Sequence, residues 1–438
     1  MGDLKQLARR IFHDTLAAID ISRAMQRCLY CEHGWLLRCH EFALDIRPFS
    51  TFRMVAIGKA AHAMLDGLRG CLPASISVAG IVSSPIPPAH PYPNVKYFIG
   101  GHPIPNEDSW RAAQSVLEML AGCDEQTVVF FLLSGGGSAL VELPLEPRFN
   151  LADMQRVHRA LVNCGAPIDD INAVRKHISA VKGGRLAQAA GRATTLTLAV
   201  SDVPAGKESA LASGPTLPDP TTWTDVSSVM EKYLLSEKFP KEMSRWIEEG
   251  AIPETPKAGD SAFHNAHFSL LLGQDGLFHP AHGAAETVGC VTCCDNTTDD
   301  WPVERAAEYL LAQLEELRNW NPNRRVAVIA DGEVSSPVTG NGMGGRNAAF
   351  VLACIEKIAG RRIAVLSAGT DGIDGNSPAA GAVADGETLA RAGAAGLNVR
   401  QAFQHSDAYT FFKQLGDAVV TGPTGNNLRD LRIMIAEP

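Results

Sequence analysis

The apolar and polar positions of this chain read as short buried strands alternating with helices. The clearest strand covers 128–133, an unbroken run of large apolar residues that stops at Ser134; three glycines and Ser138 follow. Residues 52–57 form a second apolar run, ending at Gly58-Lys59 and leading into an Ala/Met/Leu-rich helix from Ala60. The same cadence predicts strands at 80–82, 96–99 and 195–200, the last before Ser201-Asp202. Ahead of them, long unbranched residues with few breakers predict helix from Met1 to about Arg38.

Between Pro215 and Pro256 the texture changes, with prolines bracketing a charged helical stretch at 226–249. This marks the passage between two domains, expected at 1–255 and 256–438. A second series follows: helix 303–319, strand 325–329, glycine-rich loop 340–345, helix 347–358, strand 363–366 and loop 368–375. A helix around 387–395 and a final strand at 418–421 complete it. Alternation of this kind implies an α/β fold of parallel sheets with helices on both faces. Ligands of such sheets bind at the carboxyl ends of the strands, where these turns lie.

Composition narrows the function without naming it. At 438 residues the chain exceeds the size at which one core keeps growing, so two domains are the default. Apolar residues make up 45% and charged ones 20%, ordinary for a globular protein. A net charge of -9 with no dense Lys/Arg block argues against nucleic acid or an anionic membrane as partner. The stretch 1–18 is amphipathic and lacks the marks of a secretory signal, and no apolar run is long enough to span a bilayer. The ten cysteines, including Cys28/Cys31 and Cys290/Cys293/Cys294, are then expected as reduced, structural thiols in the cytoplasm.

The turn Ser134-Gly135-Gly136-Gly137-Ser138 has the makings of an anion seat: glycines let backbone N–H groups approach closely, and the helix that Ser138 opens would add its dipole. Other polar residues gather at strand ends. Lys59 follows the first strand, and Arg175, Ser179 and Lys182 share one face at helical spacing. Lys207 and the turn Ala212-Ser213-Gly214-Pro215-Thr216 come after Asp202. In the second half stand Asp331-Gly332-Glu333, then Gly344-Gly345-Arg346-Asn347, then Asp371 and Asp374. Cations beside glycine turns, with carboxylates able to hold Mg²⁺, are the parts of phosphoryl transfer. No Walker loop is present, and neither glycine cluster is a clean dinucleotide fingerprint.

In this order, Ala56-Ile-Gly-Lys-Ala60, Gly100-Gly-His-Pro103, Leu133-Ser-Gly-Gly-Gly-Ser-Ala139, Asn172-Ala-Val-Arg-Lys-His-Ile-Ser179, Ala212-Ser-Gly-Pro-Thr216, Gly344-Gly-Arg-Asn347, Gly369-Thr-Asp-Gly-Ile-Asp-Gly375 and Thr421-Gly-Pro-Thr-Gly425 resemble the class II glycerate kinases. The C-terminal half of that family is called the MOFRL domain. The resemblance implies an N-terminal Rossmann-like parallel sheet, a C-terminal MOFRL-type α/β domain, and an active site in the cleft between them. It implies transfer of the ATP γ-phosphoryl group to D-glycerate with Mg²⁺, giving 2-phosphoglycerate, with Lys59 and Arg346 as the essential cations. Residues 261–300, rich in His and Cys, depart from the expected alternation, and Ala348-Ala349, Ser377-Pro378 and Asn426 replace residues common in the family.

On this reading Ser134, Gly135, Gly136, Gly137 and Ser138 hold the glycerate carboxylate, helped by Arg346, while Lys59 neutralises the transferring group. Asp202, Glu333 or Asp371 holds Mg²⁺ or orients the attacking hydroxyl, with Glu333 and Asp371 as the expected metal ligands. Lys207, Ser213, Gly214, Thr216 and Asn347 are expected to bind ATP. The protein is expected to be a monomer or a homodimer. A hydroxypyruvate reductase using NAD(P)H and a non-catalytic binder of a small acidic metabolite are the alternatives.

Overall fold

A computed structural model describes residues 4–438 apart from 202, 204, 205, 251, 274 and 427. The chain divides into two compact units, Ile21–Gly273 and Met1–Asp20 with Gln274–Pro438.

In the unit Ile21–Gly273 the helix predicted to about residue 38 stops at Cys28. Three antiparallel strands follow: β1 (Leu29–Glu32), β2 (Leu36–Cys39) and β3 (Phe42–Asp45). Left-handed backbone at His33 and Gly34 turns the first hairpin, a conformation that no right-handed helix contains. The main sheet is then built from β4 (Thr51–Ile57), β5 (Val78–Ser84), β6 (Val95–Ile99), β7 (Thr127–Ser134), β8 (Thr194–Val200) and β9 (Ala266–Leu272). All its pairings are parallel, and the order is β6-β5-β4-β7-β8-β9. Renumbered from its own first strand, this is the doubly wound order of dinucleotide-binding folds.

Strand β7 is buried at every position because it is central in the sheet and covered on both faces. Val129, Phe131 and Leu133 join Val55 and Ile57 under helices Glu107–Ala121 and Arg185–Ala189. The alternate residues Met54, Ala56, Phe130 and Leu132 are equally buried, and helix Ala61–Cys71 packs against β4, β5 and β7. The charged stretch after Pro215 is helical as expected, but broken into Trp223–Lys232 and Lys241–Glu248.

The second sheet comprises β10 (Val291–Asp295), β11 (Val326–Asp331), β12 (Ile363–Gly369), β13 (Gly381–Asp385), β14 (Ala418–Val419) and β15 (Asp430–Ala436), in the order β10-β11-β15-β12-β13-β14. The parallel sheet expected here is not found: only β10 and β11 run parallel, and the other pairs are antiparallel. The predicted final strand is a two-residue piece, and the true last strand, β15, fills the middle of the sheet. Helices Val303–Trp320 and Arg346–Ile358 pack with β11, β12 and β15, while Leu4–Ala18 packs against β12, β13 and β15.

Residues 261–300 do alternate after all, as β9, helix Asp275–Thr287 and β10. Both strands lie at the edge of their sheets, so less of each is enclosed and polar residues can occupy them, which hides the signal. The compact units differ from the expected division at residue 255 in two places. Strand β9 continues the first sheet, and the first helix of the chain belongs with the second.

No helix among the described residues is long and apolar enough to cross a membrane.

Candidate active site

The connections leaving β4 and β7 diverge at the switch point of the parallel sheet, which is where an open α/β sheet leaves a crevice. Ile57 pairs with Leu133, so Gly58 and Ser134 stand side by side at the strand ends. The Ser134 hydroxyl accepts a hydrogen bond from the Ala60 amide at 3.0 Å, and the Lys59 amide donates to the Gly135 carbonyl at 3.1 Å. Gly58 has φ +130°, and a Cβ there would stand 2.1 Å from the Ser134 Oγ. Gly58→Ala is therefore expected to destabilise the protein by about 2 kcal/mol or more, read as a lowered urea midpoint. An unchanged midpoint would show that this close approach is not needed.

The side chain of Lys59 passes over the glycine turn. A Cβ on Gly136, whose φ is +81°, would lie 3.3 Å from Lys59 Cγ and 3.4 Å from the ring of His102. His102 thus borders the turn, although no role was predicted for it. The helix predicted after the turn is a single stretch of four residues, Gly137–Leu140, before Val141 becomes extended. So short a helix carries little macrodipole, and positive potential at the turn comes from its peptide N–H groups and from Lys59.

Ser213 donates to Asn172 Oδ1 at 2.9 Å, so in the Ser138–Ser213 contact, also 2.9 Å, Ser138 must be the donor. Ala212, Ser213 and Gly214 are all left-handed, with φ of 50°, 61° and 60°. For the first two this costs about 1–2 kcal/mol each. Amides of Gly183 and Gly184 hold the strained turn by donating to the carbonyls of Ser213 and Gly214. Of the other predicted nucleotide contacts here, Thr216 is buried and accepts from the Thr197 hydroxyl, while Lys207 makes an exposed 2.6 Å pair with Asp169. Asp202 lies outside the described residues.

Behind the turn is a buried charged group that the sequence showed only in part. Helix Ile168–Ile178 ends before Ser179, so Arg175, Ser179 and Lys182 do not share a helix face as predicted. Instead the chain turns, and Ser179 and Lys182 converge on Glu142. Lys182 Nζ is 2.8 Å from Oε2, His158 Nε2 is 2.6 Å from Oε2, and the Ser179 hydroxyl donates to Oε1 at 2.7 Å. Burial pushes the Glu142 pKa up; the Lys182 charge and the His158 hydrogen bond outweigh it and hold the carboxyl down at about 2. Burial lowers the His158 pKa, and its enclosed Nδ1 has no partner among the described residues, as suits a neutral ring that donates from Nε2.

In the second unit, β11 ends at Asp331, β12 ends at Gly369 and the antiparallel β15 begins at Asp430, so the three ends open on one edge. Arg346 begins its helix there. Its Nε donates to Asp430 at 2.5 Å, and a terminal nitrogen lies 2.7 Å from Glu333. Burial lowers its pKa, but the two carboxylates more than offset this and keep it protonated. Asp371 accepts from the Ile373 amide at 3.0 Å, and a Cβ on Gly369 would stand 3.0 Å from Asp371 Oδ1 and 3.4 Å from Asp430 Oδ1. Asn347 is buried, with Ser367 donating to its side-chain oxygen and its amide donating to Asp374. Asp374 also accepts from the Ala348 amide, so it caps the helix Arg346–Ile358 from a distant loop. Burial raises its pKa to about 6.

The prediction missed Asp299, Asp430, Arg429 and Arg432 on this edge. Arg429 pairs with Asp299 at 2.5 Å, and the Glu333 amide donates to Asp299. Arg432 is fully buried beside Asp331, whose carboxylate oxygens have no hydrogen-bond partner among the described residues. Among the described residues no group of three or more His, Cys, Asp or Glu is placed to hold a metal by itself. The edge nonetheless has five carboxylates, at Asp299, Asp331, Glu333, Asp371 and Asp430, against three arginines. An all-oxygen, net acidic donor set fits Mg²⁺, which takes one or two carboxylates and completes its shell with phosphates and water.

Known proteins match both units. Residues 7–248 match the domain of unknown function DUF4147, and residues 326–430 match the MOFRL family. A D-glycerate 2-kinase of Thermotoga maritima is 35% identical over 87% of this chain and 89% of its own. A protein of Agrobacterium vitis with the provisional name hydroxypyruvate reductase is 33% identical over 98% of this chain and 94% of its own. A glycerate 2-kinase of Pyrococcus horikoshii is 30% identical over 99% of this chain and 97% of its own. The solved structure of a glycerate kinase from Thermotoga maritima aligns with a TM-score of 0.82 at 32% identity, covering 99% of each chain. By sequence and by fold, this chain belongs to the MOFRL family of glycerate 2-kinases.

Proposed function

We propose that the protein transfers the γ-phosphoryl group of ATP to the 2-hydroxyl of D-glycerate. The observation that carries this reading is Lys59 lying over the glycine turn at the switch point of the parallel sheet, in a chain whose relatives include D-glycerate 2-kinases. The acceptor hydroxyl oxygen forms the new bond to phosphorus as the bond to the bridging oxygen of ATP breaks, leaving ADP. The hydroxyl proton passes to a carboxylate, for which Asp202, Glu333 and Asp371 are the candidates. The Lys59 ammonium meets charge developing on the transferring group, a service worth most where water is excluded.

The turn Ser134, Gly135, Gly136, Gly137 and Ser138 seats the acceptor, and Ser213, bonded to Ser138, belongs with it. Gly214 and Lys207 remain the nucleotide candidates. Thr216 and Asn347, with their polar atoms engaged inside the protein, act by holding their segments in place. Bound with the nucleotide, Mg²⁺ held by Glu333 and Asp371 would neutralise the β- and γ-phosphates.

Incubation with ATP, Mg²⁺ and D-glycerate, followed by phosphorus NMR, is expected to show ADP and 2-phosphoglycerate in equal amounts, and EDTA is expected to stop the transfer. A 3-phosphate product would overturn the choice of hydroxyl. No ADP release would overturn the kinase reading.

The provisional name of the Agrobacterium relative favours a second reading, reduction of hydroxypyruvate with NAD(P)H. Against it, the first strand-to-helix turn is Gly58-Lys59-Ala60 rather than a three-glycine fingerprint. The second strand, β5, ends in Ser83-Ser84, where a dinucleotide site places an acidic residue on the ribose. Oxidation of NAD(P)H on addition of hydroxypyruvate would revive it.

A further inference from the structure

We propose that Arg175 is the cation that binds the carboxylate of the acceptor; this rests on the glycerate reading above. Arg175 lies three residues after Asn172 on helix Ile168–Ile178, so both side chains leave the same helix face. Asn172 accepts from Ser213, which accepts from Ser138 of the glycine turn. That chain of hydroxyls brings the helix face to the turn. On its other side Arg175 is close enough to Glu142, His158 and Lys182 for its charge to act on each.

Arg175 is only 8% exposed, its enclosed Nε has no partner, and it makes no hydrogen bond or ion pair with any described residue. Among the described residues the charge count around it does not close. Lys182 neutralises Glu142, and His158 is held neutral, so the guanidinium charge is left over in a buried place. Burying a cation without a counter-ion is costly, and a planar carboxylate accepting two parallel N–H bonds is the ligand that relieves it. Arg346, given this task from sequence, is already flanked by Glu333 and Asp430, whereas Arg175 has its donors unspent. Arg175 is thus a substrate-binding residue, and the neighbouring hydroxyls of Ser138 and Ser213 orient the same small acid.

The test is equilibrium binding of D-glycerate and, separately, of ATP to the full-length protein and to Arg175→Met. Glycerate affinity is expected to fall at least about thirtyfold with ATP affinity unchanged, as for a charged pair that loses one member. Arg175→Lys, which keeps the charge but not the fork, is expected to lie between, and it decides the matter if Arg175→Met does not fold. The Tm of Arg175→Met without ligand is expected to equal or exceed that of the parent, because an unbalanced buried charge is removed. A lowered Tm with unchanged glycerate affinity would make Arg175 structural, and a loss of ATP affinity alone would make it a phosphate ligand; either overturns the proposal. If the parent protein transfers no phosphate to D-glycerate, the functional reading fails. If it does so and Arg175→Met binds glycerate as tightly, only the assignment of Arg175 fails.

Discussion

Lys59→Ala is expected to lower kcat by about 10²–10³-fold or more while leaving the fold intact. The Lys59 bond to Gly135 is made by the main chain, so the alanine variant keeps the register of the two strand ends. The side chain is only partly buried, and its loss opens no cavity in the core. What disappears is a cation above the glycine turn, the one proposed to meet the charge that builds on the transferring group. ADP release at saturating substrates measures the effect, and far-UV circular dichroism checks the fold. Turnover within a few-fold of the parent would remove Lys59 from the mechanism. The corresponding change at Arg346 is less clean, because Arg346→Ala also strips the partner from the buried Asp430. Arg346→Lys keeps that charge and is the fairer test of the guanidinium.

Lys182→Met carries the largest expected loss of stability, about 3–5 kcal/mol, the usual cost of leaving one member of a buried ion pair alone. Glu142 and Lys182 are both at most 1% exposed, so no water replaces the missing ammonium. Replacing both, as Lys182→Met with Glu142→Leu, is expected to recover much of the loss, because neither member of that pair is then left alone. Urea unfolding measures both variants; a single variant no less stable than the double one would refute the pairing. The same pair sets an acid limit. The Glu142 carboxyl titrates at about 2 when folded, below its ordinary value, so the unfolded chain takes up the proton first as pH falls. Its contribution is complete above the ordinary carboxylate range and is lost as pH drops towards 2. Glu142→Gln is expected to flatten the pH dependence of the unfolding free energy in that window.

How much of this was legible beforehand follows from where each residue lies. Strands β4, β7 and β8 were visible because central strands covered on both faces must be apolar at nearly every position. Edge strands β9 and β10 escaped, since their sequences need not be apolar throughout. In the antiparallel second sheet, β15 is as buried as any central strand, yet its place between β11 and β12 depends on pairing across most of that unit. Arg175 and Lys182 were noticed as a cationic face, but Glu142, the counter-charge of Lys182, lies far back along the chain with nothing local to mark it.

The order of motifs by itself determined the family and the α/β class, and it singled out Lys59 and Arg346 as the expected essential cations. These are local features, because a strand end, a glycine turn and a helix start can be read within a few residues. Only the tertiary structure decided which charges are already satisfied. It closed Arg346 between Glu333 and Asp430, spent Asp374 on capping a helix, neutralised Lys182 with Glu142 and left Arg175 with no ion pair among the described residues. Whether a charged group is free to act depends on partners brought together by folding from distant parts of the chain, and a sequence pattern does not contain those distances.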